Sequence, residues 1–272
     1  MFKFNKAIHL LLLLLLFFIW GCEKEEHTQP TDFNLFFEID DTPVMEGKLT
    51  IESILISLGS IEIDGRREVG EDVFMTRDFG ERKIFQLTRY LPATPVNFNL
   101  PQGIYNPLYF LLNFSPDNEE AELDDEFDEW IEDMQHGEKE IEELQEDLGD
   151  IIEDYLDGVM PCIMMKAKYQ RNDIYYNVVF ALNDPLLFRV KGMNEEGGNQ
   201  VTLRKDRINN GVILLDPSYW FSVISPSILE SAFIGVIDDD DKYIFLHKKV
   251  NSQLFTTVYN RLAESAVLYI NE

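Results

Sequence analysis

A succession of short apolar segments between residues 33 and 114 constrains the fold of this chain more than any other feature. The segments are rich in Phe, Ile, Tyr and Val, which are enriched in β-strands, and no helical periodicity separates them. Short strands that follow one another without intervening helices favour an antiparallel sandwich over the parallel sheet of an α/β fold. The predicted strands cover residues 33–39, 48–63, 72–76, 83–87, 96–100 and 107–114.

The predicted strand at 48–63 contains a local irregularity. Its apolar residues alternate, but the phase slips between Ile51 and Ile54. A slip of this kind predicts a β-bulge, which returns the later side chains to the core face. Asp64-Gly65 and Pro101-Gln102-Gly103 have turn chemistry and predict the ends of strands.

A strongly acidic block follows between residues 117 and 157. It contains 21 acidic residues and one basic residue, Lys139, and so carries −20 of the formal net charge of −27. Such a surface repels the phosphates of nucleic acids and anionic lipid head groups. The charge distribution therefore excludes nucleic acid as a partner.

Apolar residues recur within this block at helical spacing. His136-Gly137 separates two such sets, and Asp157-Gly158 ends the second. The spacing predicts an inserted helical hairpin at about 117–158, with acidic outer faces and apolar stripes turned inward. The stripes are Leu123, Phe127, Trp130, Ile131 and Met134, then Ile141, Leu144, Leu148, Ile151, Ile152 and Tyr155.

The β pattern resumes after the block. Helices are predicted after Asp216-Pro217-Ser218, interrupted by Pro226 and resumed to about residue 232, and again at 250–262. The predicted fold is mainly β with α additions: an antiparallel β-sandwich body over residues 32–272, with the acidic helical-hairpin insertion and C-terminal helices. The later strands are predicted at 159–170, 174–182, 186–190, 201–203, 212–215, 243–246 and 266–270.

Residues 1–21 have the organisation of a signal peptide. Lys3 and Lys6 precede an apolar run that is shorter than the roughly 20 residues of a membrane span. An ordinary secretory signal is the alternative, but it favours small residues at two positions, and only Gly21 is small. Ile19-Trp20-Gly21-Cys22 resembles a bacterial lipobox, although Trp20 replaces the usual small residue. The resemblance implies that Cys22 is acylated and binds membrane lipid.

The residues after Cys22 lead to a second prediction about the location of the protein. Lys24-Glu25-Glu26 resembles the signal that sends lipoproteins of the Bacteroidetes to the outside of the outer membrane. Residues 22–31 contain Pro30 and almost no apolar residue, so they are predicted to form an acidic tether. The expected location is the outer membrane, lipid-anchored and facing the cell exterior.

A further resemblance covers about 80 residues. A strand at 51–63, a later short strand and Asn99-Leu100-Pro101-Gln102-Gly103-Ile104-Tyr105 lead into a strand of alternating apolar residues at 108–112. This order resembles a family of bacterial outer-membrane lipoproteins with a β-sandwich domain. The resemblance implies a fold and an anchor and no catalytic residue, because the family has no agreed activity.

Metal binding is the natural question for so acidic a chain. The best calcium candidate is the run Asp238, Asp239, Asp240 and Asp241, which lies between two apolar segments and would collect carboxylate oxygens at a hairpin turn. The alternative, which we favour, is a solvated acidic turn. Calcium is therefore a cofactor only if these four carboxylates form a site, and the sequence indicates no other cofactor.

Catalytic signatures are missing from the sequence. No pair of the four histidines has zinc-ligand spacing, and there is no nucleophile elbow, phosphate loop or dinucleotide fingerprint. Cys162 lies in an apolar run and, with Cys22 acylated, has no disulfide partner, so it is predicted to be a buried, inert thiol. These observations disfavour an enzyme.

Aromatic residues provide the remaining candidates for binding. Trp130, Trp220, Tyr175 and Tyr176 have the chemistry to stack on sugar rings or to anchor a protein partner, although their spacing favours the core. We expect a binding or envelope-assembly module without catalysis, with a protein or glycan partner. The alternatives are a calcium-dependent hydrolase or glycan-processing accessory protein, and a role of the acidic insertion as a docking arm for a basic partner.

Overall fold

The structure is a computed structural model that describes residues 29–89, 93–116, 160–236 and 242–271. The predicted signal peptide, Cys22, Lys24-Glu25-Glu26 and the predicted helical hairpin at 117–158 lie outside the described residues. The described part of the chain is mainly β, as the sequence predicts, with few helices.

Thirteen strands and three short α-helices make up the described fold. Most boundaries lie within a few residues of the predicted ones, and strands 174–182 and 201–203 coincide with their predictions. The strands are β1 (Pro30–Ile39), β2 (Leu49–Arg67), β3 (Val73–Thr88), β4 (Val96–Pro101), β5 (Gly103–Phe114), β6 (Ile163–Arg171), β7 (Ile174–Leu182), β8 (Leu186–Asn194), β9 (Val201–Leu203), β10 (Asn209–Leu215), β11 (Gly235–Val236), β12 (Lys242–Leu246) and β13 (Val267–Asn271). The helices are α1 (Pro217–Phe221), α2 (Pro226–Leu229) and α3 (Ser252–Ser265), and a 3-10 turn spans Met45–Gly47.

The strands form one mixed sheet. Its order is β11-β12-β7-β6-β2-β5-β8-β13-β10-β1-β4, with β3 paired to β2 and β9 paired to β5. The pairs β1–β10, β7–β12 and β8–β13 are parallel, so the prediction of an antiparallel sheet was wrong for these pairs. Strands that are joined by a short turn must run antiparallel, but these pairs come from distant parts of the chain and are free of that constraint.

The long strand β2 pairs with three other strands of this sheet. One edge of β2 pairs with β3, and the other edge pairs with β6 along its first half and with β5 along its second half. The register of β2 on β6 shifts between Ile51 and Ser53, which confirms the bulge predicted from the apolar phase. A second shift between Leu58 and Ser60 marks the point where β2 passes from one partner to the other.

The strands β5 and β6 lie end to end along β2. Phe114 at the end of β5 pairs with Leu58, and Ile163 at the start of β6 pairs with Ile56. Ser57 lies between them: its N–H donates to the Cys162 carbonyl (2.8 Å), and its carbonyl accepts from the Ser115 N–H (3.2 Å). The acidic segment therefore leaves and re-enters the sheet at one point, halfway along β2.

The sheet curves strongly enough for β1, near one end of the strand order, to share a core with β5 and β3. The rings of Phe33 on β1 and Phe110 on β5 are 5.6 Å apart, although β8, β13 and β10 separate the two strands in the sheet. Phe37 on β1 likewise contacts Phe85 on β3, with ring centroids 5.2 Å apart. The long helix α3 covers β7, where Phe255 stacks on Phe180 at 5.3 Å.

Two local predictions were wrong. Asp64-Gly65 is not a turn, because β2 continues through it to Arg67. A Cβ on Gly65 would lie 2.7 Å from the ring of Tyr105, so this glycine permits a close approach between strands and not a reversal of the chain. The predicted strands 72–76 and 83–87 belong to a single strand, β3, whose register on β2 is interrupted opposite Gly59.

Candidate functional site

The most distinctive exposed surface among the sequence candidates lies at the turn between β6 and β7. Arg171 and Ile174 form the last pair of this hairpin, and Asn172 between them has a φ of 49°, a left-handed conformation that Asn adopts more readily than most residues. The side chain of Tyr175 is 60% exposed. We call Arg171, Tyr175, Tyr176, Glu230 and Lys242 the hairpin surface; Tyr175 lies on the opposite face of the hairpin from Arg171 and Tyr176.

The two neighbouring tyrosines of this surface have different environments. Successive side chains of a strand point to opposite faces, and Tyr176 is only 8% exposed whereas Tyr175 faces solvent. Asn177 pairs with Tyr243, which brings the start of β12 alongside Tyr176. The Lys242 ammonium accordingly lies 5.7 Å from the centroid of the Tyr176 ring, a cation–π geometry.

A polar cluster joins the hairpin surface to the segment after α2. The Tyr169 hydroxyl donates to Glu230 Oε1 at 2.8 Å, and Arg171 Nε lies 3.5 Å from Glu230 Oε2. Burial and the hydrogen bond to Glu230 raise the pKa of Tyr169 to about 12. The phenol therefore stays protonated at neutral pH and fixes the position of Glu230, so it is suited to holding the surface and not to acid–base chemistry.

The predicted acidic turn adjoins this surface. Val236 on β11 pairs with Lys242 on β12 in antiparallel register, so the segment that carries Asp238, Asp239, Asp240 and Asp241 joins two paired strand ends. These four residues lie outside the described part of the chain. Among the described residues there is no group of three or more His, Cys, Asp or Glu side chains placed to hold a metal ion. The calcium prediction accordingly remains a prediction.

No protein-family model, curated protein or solved structure matches this chain. No helix in the described ranges combines the length and the apolar character that a membrane crossing requires. The chemistry of this chain therefore has to be judged from its own residues.

Two further sequence candidates are core residues. Trp220 is fully buried in α1, and its indole N–H donates to Ser265 Oγ at 2.5 Å, which confirms the preference for the core over ligand stacking. Trp130 lies outside the described residues. Cys162 is also fully buried, its thiol donates to the Asp184 carbonyl at 3.1 Å, and burial raises its pKa to about 12. The prediction of an inert thiol is confirmed.

His247 is the histidine that the described ranges contain, and it is buried in an aromatic environment. The centroid of its ring lies 5.6 Å from that of Phe245 and 6.0 Å from that of Phe255. Its Nδ1 accepts a hydrogen bond from the Lys249 N–H at 3.4 Å. These contacts pack β12 against α3 and leave the imidazole remote from solvent.

Sequence reasoning missed one organising cluster, around Arg67. The guanidinium of Arg67 donates to the carbonyls of Glu71 (2.5 Å) and Gln102 (3.4 Å). The Tyr105 hydroxyl donates to the Pro101 carbonyl at 2.5 Å, and burial raises its pKa to about 12. The Pro-x-Gly-x-Tyr pattern contained the signal, because a tyrosine four residues after a proline reaches back to close the turn.

Proposed function

We propose that this protein is a lipid-anchored outer-membrane lipoprotein that faces the cell exterior and acts as a binding or envelope-assembly module without catalysis. The observation that carries the proposal is Cys22 at the end of the apolar run, followed by Lys24-Glu25-Glu26 and a folded domain that is described from Gln29 onwards. Only six residues separate the acylated position from the first described residue, Gln29, so the anchor would hold the domain close to the lipid.

The state of the buried ionisable groups supports binding over catalysis. The groups of Tyr105, Cys162 and Tyr169 have pKa values raised to about 12, and each donates a structural hydrogen bond. Acid–base catalysts need pKa values near the working pH, so these three groups are suited to holding the fold and not to proton transfer. In this proposal the body is a distorted β-sandwich of the lipoprotein family named above, and the packing of Phe33 on Phe110 across the curved sheet supports that arrangement.

A second candidate is a glycan-processing accessory protein, or a hydrolase, that depends on calcium. The four aspartates connect Val236 to Lys242, which pair with each other, and the ammonium of Lys242 lies beside the ring of Tyr176, the neighbour of the exposed Tyr175. Carboxylate oxygens suit calcium, and an exposed tyrosine ring suits a sugar face. This surface is the place where a protein or glycan partner is expected in either case.

The anchor is tested by metabolic labelling with an alkyne-tagged fatty acid in a Bacteroidetes host, comparing the native chain with Cys22→Ala. The native chain is expected to take up label and to sediment with outer membranes, and Cys22→Ala to lose both properties. Label retained on Cys22→Ala would contradict the proposal.

The exposure of the domain at the cell surface is tested separately by protease treatment of intact cells. Replacing Lys24, Glu25 and Glu26 together by Ala is expected to preserve the lipid label and to protect the domain from the added protease. Equal digestion of this variant and the native chain would show that the three residues do not direct surface export.

A further inference from the structure

Three connections of the sheet meet at the end of the molecule where β1 begins. The Gln102 N–H donates to the Gln29 carbonyl (2.9 Å), and Lys205 Nζ donates to Gln29 Oε1 (2.5 Å). The Glu68 N–H donates to the Ile104 carbonyl at 3.0 Å. We call this region the basal end; it comprises residues 29–30, 66–72, 101–104 and 204–208.

The basal end exposes apolar side chains. Val69 is 57% exposed and Ile208 is 59% exposed, and Ile104 lies on the same end. Phe74 follows two residues into β3 and is also exposed. Scattered exposed apolar residues need no explanation, but Val69 and Ile208 come from two separate connections, and Ile104 and Phe74 lie at the adjoining ends of β5 and β3.

The connection at 204–208 adds positive charge to this apolar surface. It carries Arg204, Lys205 and Arg207 against a single acid, Asp206, whereas the connection at 66–72 carries two bases and three acids. The fully buried Asn209 side chain donates to the carbonyls of Arg204 (3.0 Å) and Arg207 (3.4 Å). These bonds hold the backbone of the loop against the fold. The side chains of Arg204, Lys205 and Ile208 are exposed, and that of Arg207 is partly buried.

Chain length limits how far this end can lie from an anchored Cys22. The six residues between Cys22 and Gln29 make seven Cα–Cα steps, which span at most about 25 Å when fully extended. The hairpin surface is at the opposite end of β2, because Leu49 pairs with Tyr169 whereas Arg67 pairs with Tyr105. The 19 residues of β2 follow a path of about 60 Å, which is well beyond the reach of the tether.

The described part of the chain is close to electrical neutrality. Its residues carry 19 basic and 21 acidic side chains, a formal net charge of −2. The chain enters the block that carries −20 next to Ser115, which is bonded to the middle of β2. The described fold therefore adds little net repulsion from anionic head groups.

We infer that the basal end rests on the bilayer that holds Cys22, with Ile208 and Val69 at the level of the head groups and Arg204, Lys205 and Arg207 on their phosphates. Apolar side chains flanked by basic ones are the combination that an interfacial surface uses. The inference rests on the proposed lipid anchor. It also directs the hairpin surface away from the membrane, towards a partner.

The orientation is tested with the acylated full chain reconstituted in vesicles of phosphatidylethanolamine and phosphatidylglycerol. An environment-sensitive fluorophore is attached through Ile208→Cys, or through Tyr175→Cys as the matched exposed position at the other end of β2. The acylated Cys22 and the buried Cys162 do not compete for the label. The Ile208→Cys probe is expected to show blue-shifted emission and weak quenching by iodide, and the Tyr175→Cys probe to behave as in water.

Flotation of the vesicles separates failure of the orientation from failure of the anchor. Protein that does not float with vesicles overturns the anchor and this inference together. Protein that floats with equally quenched probes overturns the orientation alone.

The phosphate contacts are tested by changing Arg204, Lys205 and Arg207 to Gln. This triple change should restore iodide quenching of the Ile208→Cys probe, whereas changing Arg171 and Lys242 to Gln should not. An unchanged probe in the triple variant overturns the phosphate contacts.

Discussion

Ser265 satisfies the indole N–H of Trp220 in the interior of the molecule, where both side chains are buried. Replacing Ser265 by Ala leaves this donor without a partner and is expected to lower the free energy of unfolding by about 1–3 kcal/mol. Ser222→Ala is the matched control, because the Ser222 hydroxyl donates to the Tyr219 carbonyl at an exposed position. Urea unfolding followed by circular dichroism measures both, and equal losses would contradict the prediction.

The burial of the Cys162 thiol leads to a prediction about the free energy of unfolding at alkaline pH. Burial raises the pKa of its thiol from 9.0 to about 12, so the unfolded chain releases this proton at a lower pH than the folded one. The stabilisation of the folded state by the protonated, buried thiol is therefore complete below about pH 9 and is lost as the pH rises towards 12. Cys162→Ala should flatten the decline of the unfolding free energy between pH 9 and 10.5, measured by urea titration at each pH. An identical slope in both proteins would contradict the assignment.

At the scale of elements, the sheet holds the two flanks of the acidic segment together. Ser57 bonds to Cys162 on one side of the insertion and to Ser115 on the other, so the sheet holds both flanks without it. Replacing residues 118–158 by a short Gly/Ser linker is expected to preserve folding and to raise the unfolding free energy by about 2 kcal/mol or less, because a shorter loop costs less entropy to close.

Thermal unfolding of this deletion variant distinguishes two roles for the insertion. An unchanged or slightly raised melting temperature, together with loss of capture of a basic partner, supports a docking arm. Collapse of the cooperative transition would show instead that the insertion is structural.

The β11–β12 connection gives a second prediction at this scale. If the four aspartates hold calcium, isothermal titration should show binding heat in the native chain and none after Asp239→Asn and Asp240→Asn. Changing the exposed Glu195 and Glu196 to Gln is the matched control for loss of two charges. Equal heats in all three proteins would remove the calcium site.

At the scale of the whole molecule, β2 separates the expected membrane end from the hairpin surface. Tyr175→Ala is expected to reduce retention on the polysaccharides of the host envelope while leaving the melting temperature unchanged, because the ring is mostly exposed. Tyr269→Ala is the matched exposed aromatic on β13. Unaltered retention of Tyr175→Ala would exclude this ring from glycan binding.

Part of the candidate surface followed from the sequence. The strand at 174–182 and the bracketing of the aspartates by apolar segments were both local patterns, and they placed Tyr175 and Lys242 near strand ends. Which of the two tyrosines faces solvent, and the contact of Lys242 with Tyr176, depended on β12 joining β7 in parallel. No local pattern reports such a pairing.

The sequence by itself determined the strands, the bulge after Ile51, the helices near Pro217 and Pro226 and the burial of Cys162. These features arise from the periodicity and the chemistry of neighbouring residues, which act over a few positions. Only the tertiary structure decided the parallel pairs, the end-to-end arrangement of β5 and β6, the close approach of Gly65 to Tyr105 and the gathering of basic and apolar side chains at the basal end. These depend on contacts between residues far apart in the chain, whose free energy is set by packing and not by local preference.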